Sequence, residues 1–234
     1  MQAQAEMTAS AWWGFELPPE THQKTLNLVR AVLKGEAQVD AARDAAEVVT
    51  QLVVAGFEGY YHIPTRMVPL HPTVRKTADG SIQAVQKGIE LVIRQFFAKR
   101  TPDELRELAR YLQAMLLEYP ERETAYLVFP IDEALYDKAQ VLIQRVQTED
   151  RPRDHLDEIV ATLSHMVTEG VTHYYERPAS LVRLGGMTRK TVDMTMKGVS
   201  KGIRTLIDKL VRQLSGDQLR TLSYHVASLL HAPQ

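Results

Sequence analysis

Residues 60–80 read YYHIPTRMVPLHPTVRKTADG, and residues 174–194 read YYERPASLVRLGGMTRKTVDM. A shift of 114 positions, with no gap, carries Tyr60-Tyr61 onto Tyr174-Tyr175, Pro64 onto Pro178, Leu70 onto Leu184, Arg75-Lys76-Thr77 onto Arg189-Lys190-Thr191 and Asp79 onto Asp193. Outward from this stretch the same shift pairs Lys87-Gly88-Ile89 with Lys201-Gly202-Ile203 and Leu105-Arg106 with Leu219-Arg220. Toward the N-terminus it reaches Phe15 with Phe129 and Lys24 with Lys138. Self-similarity at a fixed offset marks a repeated structural unit. The expectation is a tandem duplication, a first helical repeat over residues 1–120 and a second over 121–234, packed as one body with pseudo-twofold symmetry. Duplicated chains of this kind often mimic a homodimer, because closed twofold pairing is the commonest symmetric assembly.

Each copy reads as four helices, giving an all-α protein of about eight. The first segment runs from Pro19 to Lys34 and places Leu26, Val29, Val32 and Leu33 on one face. The second runs from Asp40 to the Tyr60-Tyr61 pair, where Pro64 is expected to force a turn, as Pro178 is in the copy. The third begins near Thr77 or Thr191 and carries Ile82, Val85, Ile89, Val92, Ile93 and Phe96 at helical spacing. The fourth opens on Thr101-Pro102-Asp103-Glu104 or on Ser215-Gly216-Asp217-Gln218, both with the residues of a capping box. No sheet is expected: Ala125 to Phe129 has the residues of a short strand, but it aligns with Ala11 to Phe15, which reads better as an apolar lead-in packing ahead of a helix.

The apolar fraction of 44% and the charged fraction of 24% are those of an ordinary globular chain and exclude disordered and fibrous classes. A formal charge of −1 supplies no global field toward nucleic acid or an anionic membrane, so nucleic acid is not an expected partner. With no cysteine there is no disulfide, thiolate metal site or cysteine nucleophile. Met1-Gln2-Ala3-Gln4-Ala5-Glu6 lacks the basic and apolar regions of a secretory signal, and no apolar run spans a bilayer. A cytoplasmic protein without an integral membrane segment is expected.

The polar positions shared by both copies are the candidates for function. With Thr77 and Thr191 as N-caps, Arg75-Lys76 and Arg189-Lys190 would flank the positive end of a helix dipole, a placement that an anion would compensate. The alternative is structural: Asp79 or Asp193 pairs with the arginine and leaves a solvated turn. Lys87 and Lys201 extend the basic character, most strongly in the second copy, where Lys197, Lys201 and Arg204 line one face. Tyr60, Tyr61, Tyr174 and Tyr175 read either as packing residues or as ligand contacts. The small pairs Ala84 and Gly88, Gly198 and Gly202 point to a close helix crossing, since an interior helix glycine costs about 0.5 to 1 kcal/mol.

Catalytic signatures are absent, including the phosphate loop, dinucleotide fingerprint, nucleophile elbow and zinc-protease motif. His165, Glu169 and His173 share helical spacing, but the first copy holds Gln51, Ala55 and Gly59 there, so a metal site in the second repeat alone is the weakest reading. No cofactor is expected. The leading expectation is a non-enzymatic helical protein that binds an anionic amphipathic ligand or surface, a lipid, acyl chain or phosphorylated small molecule. Arg75, Lys76, Arg189 and Lys190 would meet the acidic group. The alternatives are a protein-interaction scaffold or homodimer, and an enzyme using His165, Glu169 and His173.

Overall fold

The computed structural model describes residues 11–36 and 40–232; the N-terminal stretch read for a signal lies outside them. The chain is mostly helical, 77%, with eight long helices and two short ones among the described residues, and a four-stranded antiparallel sheet. In chain order the elements are β1 (Ala11–Glu16), α1 (Pro19–Lys34), α2 (Ala41–Phe57), a π-helical segment (Glu58–His62), α3 (Ile63–Met67), α4 (Pro72–Phe97), α5 (Pro102–Ala114) and β2 (Leu116–Tyr119). Then follow β3 (Thr124–Ile131), α6 (Glu133–Thr148), α7 (Leu156–Val171), a second π-helical segment (Thr172–Glu176), α8 (Arg177–Ser180), α9 (Gly186–Val211), α10 (Gly216–Ser228) and β4 (Leu230–His231). Among the described residues no helix is long and apolar enough to cross a membrane.

The sheet corrects the all-α expectation. Its order is β2-β3-β1-β4, and the central pair runs antiparallel from Ala11 opposite Ile131 to Glu16 opposite Tyr126. The short strand β2 of residues 1–120 pairs with β3 of residues 121–234, and β4 pairs back onto β1. Strand ends from the two segments therefore interleave. The two apolar lead-ins are strands because they pair with each other across more than a hundred residues. Ala11, Trp13, Gly14 and Phe15, like Leu127, Val128 and Phe129, are buried almost continuously, which erases the period-two alternation that would have marked them.

The fourth-helix starts form as their residues dictate. Thr101 Oγ1 accepts from the Glu104 N–H at 3.2 Å while the Glu104 carboxylate accepts from the Thr101 N–H at 2.9 Å. Ser215 and Gln218 repeat both bonds at 3.2 and 2.8 Å. The same two caps also reach across the molecule: Glu104 accepts from the Arg183 N–H at 2.6 Å, and Gln218 donates to the Pro69 carbonyl at 2.8 Å. Helix α4 packs on α9, and the glycines sit in that contact. A Cβ on Gly88 would stand 3.2 Å from Val199 Cγ2, and one on Gly202 would stand 3.5 Å from Val85 Cγ2. Gly198 has open space, so it takes no part in the crossing.

Two helix boundaries differ from expectation. The helices carrying the basic triplets start at Pro72 and Gly186, five residues before Thr77 and Thr191. Pro72 is at the first turn, where its missing N–H is no loss. Thr77 and Thr191 are therefore interior residues whose hydroxyls donate back to the Thr73 and Met187 carbonyls at 2.9 and 3.1 Å. The second correction concerns the prolines. Helix continues through the tyrosine pairs and past Pro64 and Pro178, because both tyrosine pairs lie in π-helical segments. In that register the Ile63 N–H reaches the Glu58 carbonyl, so the next acceptor in line is the Gly59 carbonyl, which Pro64 has no N–H to satisfy. His225 Nε2 from α10 donates to that carbonyl at 2.8 Å. In the second segment Tyr111 Oη from α5 donates to the His173 carbonyl at 3.0 Å. Each proline is tolerated because a distant side chain replaces the missing bond.

Candidate functional site

The helices do not close on one another. Between them lies a cavity of about 580 Å³, lined from β1, β3 and nearly every long helix. Its wall is aliphatic and aromatic, with Leu52, Phe57, Phe96, Leu163, Met166 and Ile203 typical of it. Among the described residues no Asp, Glu, Lys or Arg lines it. The wall residues that carry polar side-chain atoms are Trp13, a few tyrosines, Thr65, Thr162, Ser223, His173 and His225.

The tyrosine pairs divide into two roles, which the wide π turn separates. Tyr61 and Tyr175 are buried and donate their hydroxyls to Asp79 and Asp193 at 2.8 and 2.5 Å. Burial, reinforced by those carboxylates, pushes both phenols well above their ordinary range. Tyr60 and Tyr174 instead stand at the sheet. Tyr60 stacks against Trp13 with ring centroids 6.1 Å apart and meets Phe15 edge-on at 5.2 Å. Tyr174 meets Phe129 edge-on, also at 5.2 Å, and reaches Phe15 at 6.5 Å. Glycine makes room for this packing: a Cβ on Gly59 would lie 2.9 Å from the Phe15 Cβ.

The two inner hydroxyls are poorly satisfied. Tyr174 Oη has the Leu127 carbonyl at 3.4 Å, at the limit of a hydrogen bond. Tyr60 Oη is buried, close enough to Tyr174 and Trp13 for each to act on its proton, yet no atom stands in hydrogen-bond geometry to it. Burial raises both phenols far above the usual tyrosine range, so both remain protonated donors. Thr162 Oγ1, also buried on the cavity wall, has no partner either. His173 stacks on Phe129 at 5.5 Å and 14°, and burial, with a smaller contribution from the Arg177 charge, lowers it to about 4, so the ring is neutral.

None of the basic residues singled out in the sequence enters the cavity. Lys76, Lys87, Lys190 and Lys201 are exposed. Because the triplets lie a turn inside their helices, the Arg75 and Arg189 N–H groups are already bonded to the His71 and Gly185 carbonyls. The open helical N–H groups expected beside the arginines are not there. The guanidinium groups bond backbone instead, Arg75 to the Thr65 carbonyl at 3.0 Å and Arg189 to that of Ala179 at 3.1 Å. Arg189 also pairs with Asp193 at 3.3 Å, as the structural alternative anticipated. Arg75 has no such ion pair among the described residues and lines a second, polar cavity of about 390 Å³ with His62, Arg66, Asp79, Gln83 and Gln86. Thr65 and Ile82 line both cavities, so the polar one adjoins the apolar one.

The metal reading fails on geometry. His165 is exposed and 3.7 Å from Glu169, whereas His173 is turned into the core against Phe129. Among the described residues no cluster of three His, Asp or Glu side chains could hold an ion. Sequence reasoning placed an acyl chain between the helices without identifying the wall of the space, and it missed Trp13, Thr162 and His225. It named Asp79 and Asp193 only as partners of the arginines, although their recurrence 18 residues after each Tyr61-type tyrosine was a usable signal. Compared with protein families, curated proteins and solved structures, the chain matches none.

Proposed function

We propose that this protein binds an amphipathic lipid-like molecule, with its apolar chain in the central cavity and an acidic group in the polar pocket at Arg75. The observation that carries this reading is the cavity. Its volume of about 580 Å³ falls in the range of about 300 to 1,000 Å³ typical of small-molecule sites, and its wall is apolar with no charged side chain among the described residues, so an apolar chain suits it. Arg75 is the better-suited of the two triplet arginines because Asp193 already neutralises Arg189. Lys76 beside it adds positive charge at the surface.

The recurrence at an offset of 114 fits a duplicated four-helix unit whose two copies wall one shared cavity about a pseudo-twofold axis. Pairs of bonds 114 residues apart support it, among them Tyr61 to Asp79 with Tyr175 to Asp193, and Glu104 to residue 183 with Gln218 to residue 69. Binding at a lipid surface is favoured by α9. Met187 and Met194 are 87% and 65% exposed there, and Lys190, Lys197 and Lys201 lie exposed on the same helix. We place the protein in the cytoplasm as a carrier and not an enzyme.

Native mass spectrometry of the purified protein, followed by organic extraction, tests the proposal. The expected result is a bound lipid, or uptake of a fluorescent fatty-acid probe by the stripped protein at one equivalent per chain. A protein that emerges empty, takes up no probe and stays fully folded would sink it.

A further inference from the structure

Building on the cavity reading, we propose that Tyr60 and Tyr174 form a polar anchor inside the apolar cavity, which takes an uncharged oxygen of the ligand, a hydroxyl, carbonyl or ester, as a hydrogen-bond acceptor. Tyr60 belongs to the cavity wall, and its hydroxyl is buried with no partner in hydrogen-bond geometry. A buried donor left unmade carries its full desolvation cost, and buried polar groups are nearly always paired. Tyr174 supplies a second donor beside it, in a long 3.4 Å contact to Leu127 O and close enough to Tyr60 for the two phenols to act on each other. The third phenol nearby, Tyr111, is already committed to the His173 carbonyl.

The acceptor must be uncharged. Among the described residues no cation lines this cavity, and an ionised carboxylate would enter it without a counter-ion. A carboxylate therefore belongs in the Arg75 pocket, and the phenols read a neutral oxygen farther along the chain. Position supports this as well. Both tyrosines project from single-turn π segments, a distortion found often at functional sites. Their rings are clamped by Trp13, Phe15 and Phe129, so the hydroxyls are held in place before a ligand arrives. Selection between chains with and without an oxygen follows, because a site built to bond a hydroxyl or carbonyl discriminates against the analogue lacking it.

Displacement of a bound fluorescent apolar probe by dodecane, dodecanol and dodecyl methyl ketone, in the wild type and in Tyr60→Phe, tests the anchor. Tyr60→Phe is expected to weaken dodecanol and the ketone by about tenfold, the loss of one hydrogen bond, and to leave dodecane unchanged or tighter. Tyr174→Phe should act in the same direction and less strongly. An equal effect of Tyr60→Phe on all three ligands, or none on any, overturns the anchor while leaving the cavity reading intact. Failure of all three to displace the probe from the wild type overturns both. Cooperative melting of each variant checks that folding is retained.

Discussion

Gly14 stands directly opposite Val128 in the central strand pair, and a Cβ at Gly14 would lie 2.6 Å from Val128 Cγ1 and 2.3 Å from the Leu127 carbonyl oxygen. Two of the three nearest atoms are backbone, so the strands themselves would have to part. Gly14→Ala is expected to destabilise by about 1 to 3 kcal/mol, the cost of overpacking a tight core. Trimming Val128 to alanine in the same chain should recover only part of that, because the carbonyl remains. Urea unfolding of the single and double variants measures both; full recovery would show that the side chain alone was the obstacle.

The bond from His225 to the Gly59 carbonyl is expected to depend on Pro64. His225→Ala strands a buried carbonyl and should cost about 1 to 3 kcal/mol. Pro64→Ala restores an N–H in the helix, so the same His225→Ala change should cost less in that background. A double-mutant cycle reads the coupling, expected at about 1 kcal/mol. Strict additivity would mean that the histidine does not substitute for the helix bond.

Acid should weaken the fold through His173. Buried and lowered to about 4 from an ordinary 6.5, it stays neutral in the folded protein while the unfolded chain takes up the proton first. Stability is therefore intact above about pH 6.5 and falls as pH drops toward 4. Between pH 7 and 5 the loss is about 2 kcal/mol, or a melting-temperature drop of about 4 to 8 °C. His231, also lowered by burial, contributes with the same sign. His173→Gln should flatten the profile; equal drops in variant and wild type would assign the effect elsewhere.

The exposed face of α9 is expected to bind anionic vesicles. Each lysine near such a surface contributes about 1 kcal/mol, so replacing Lys190, Lys197 and Lys201 by glutamate should weaken sedimentation with phosphatidylserine vesicles by a hundredfold or more. Raising the salt should weaken the wild type in the same sense. Binding that survives the triple substitution would remove α9 from the interaction.

What was legible in the sequence is what closes locally. The capping boxes at Thr101 and Ser215 form bonds within three residues, and the stripes through Val29 and Ile82 are set by the helix period, so their positions follow from residue order alone. Gly88 and Gly202 could be read as a close crossing because glycine there has a local cost that only packing offsets. What the tertiary structure decided depends on partners far away in the chain. Ala11–Glu16 is a strand because Thr124–Ile131 lies beside it. The helix passes Pro64 because His225, 166 residues after the Gly59 carbonyl it bonds, supplies the missing donor. Arg75 and Arg189, alike in sequence, part company only in space, where Asp193 pairs with one of them. The cavity is the furthest from the sequence: Leu52 and Leu222 announce themselves as buried, but whether facing apolar stripes meet or leave a space is set by the distance between helix axes, a quantity no single segment encodes.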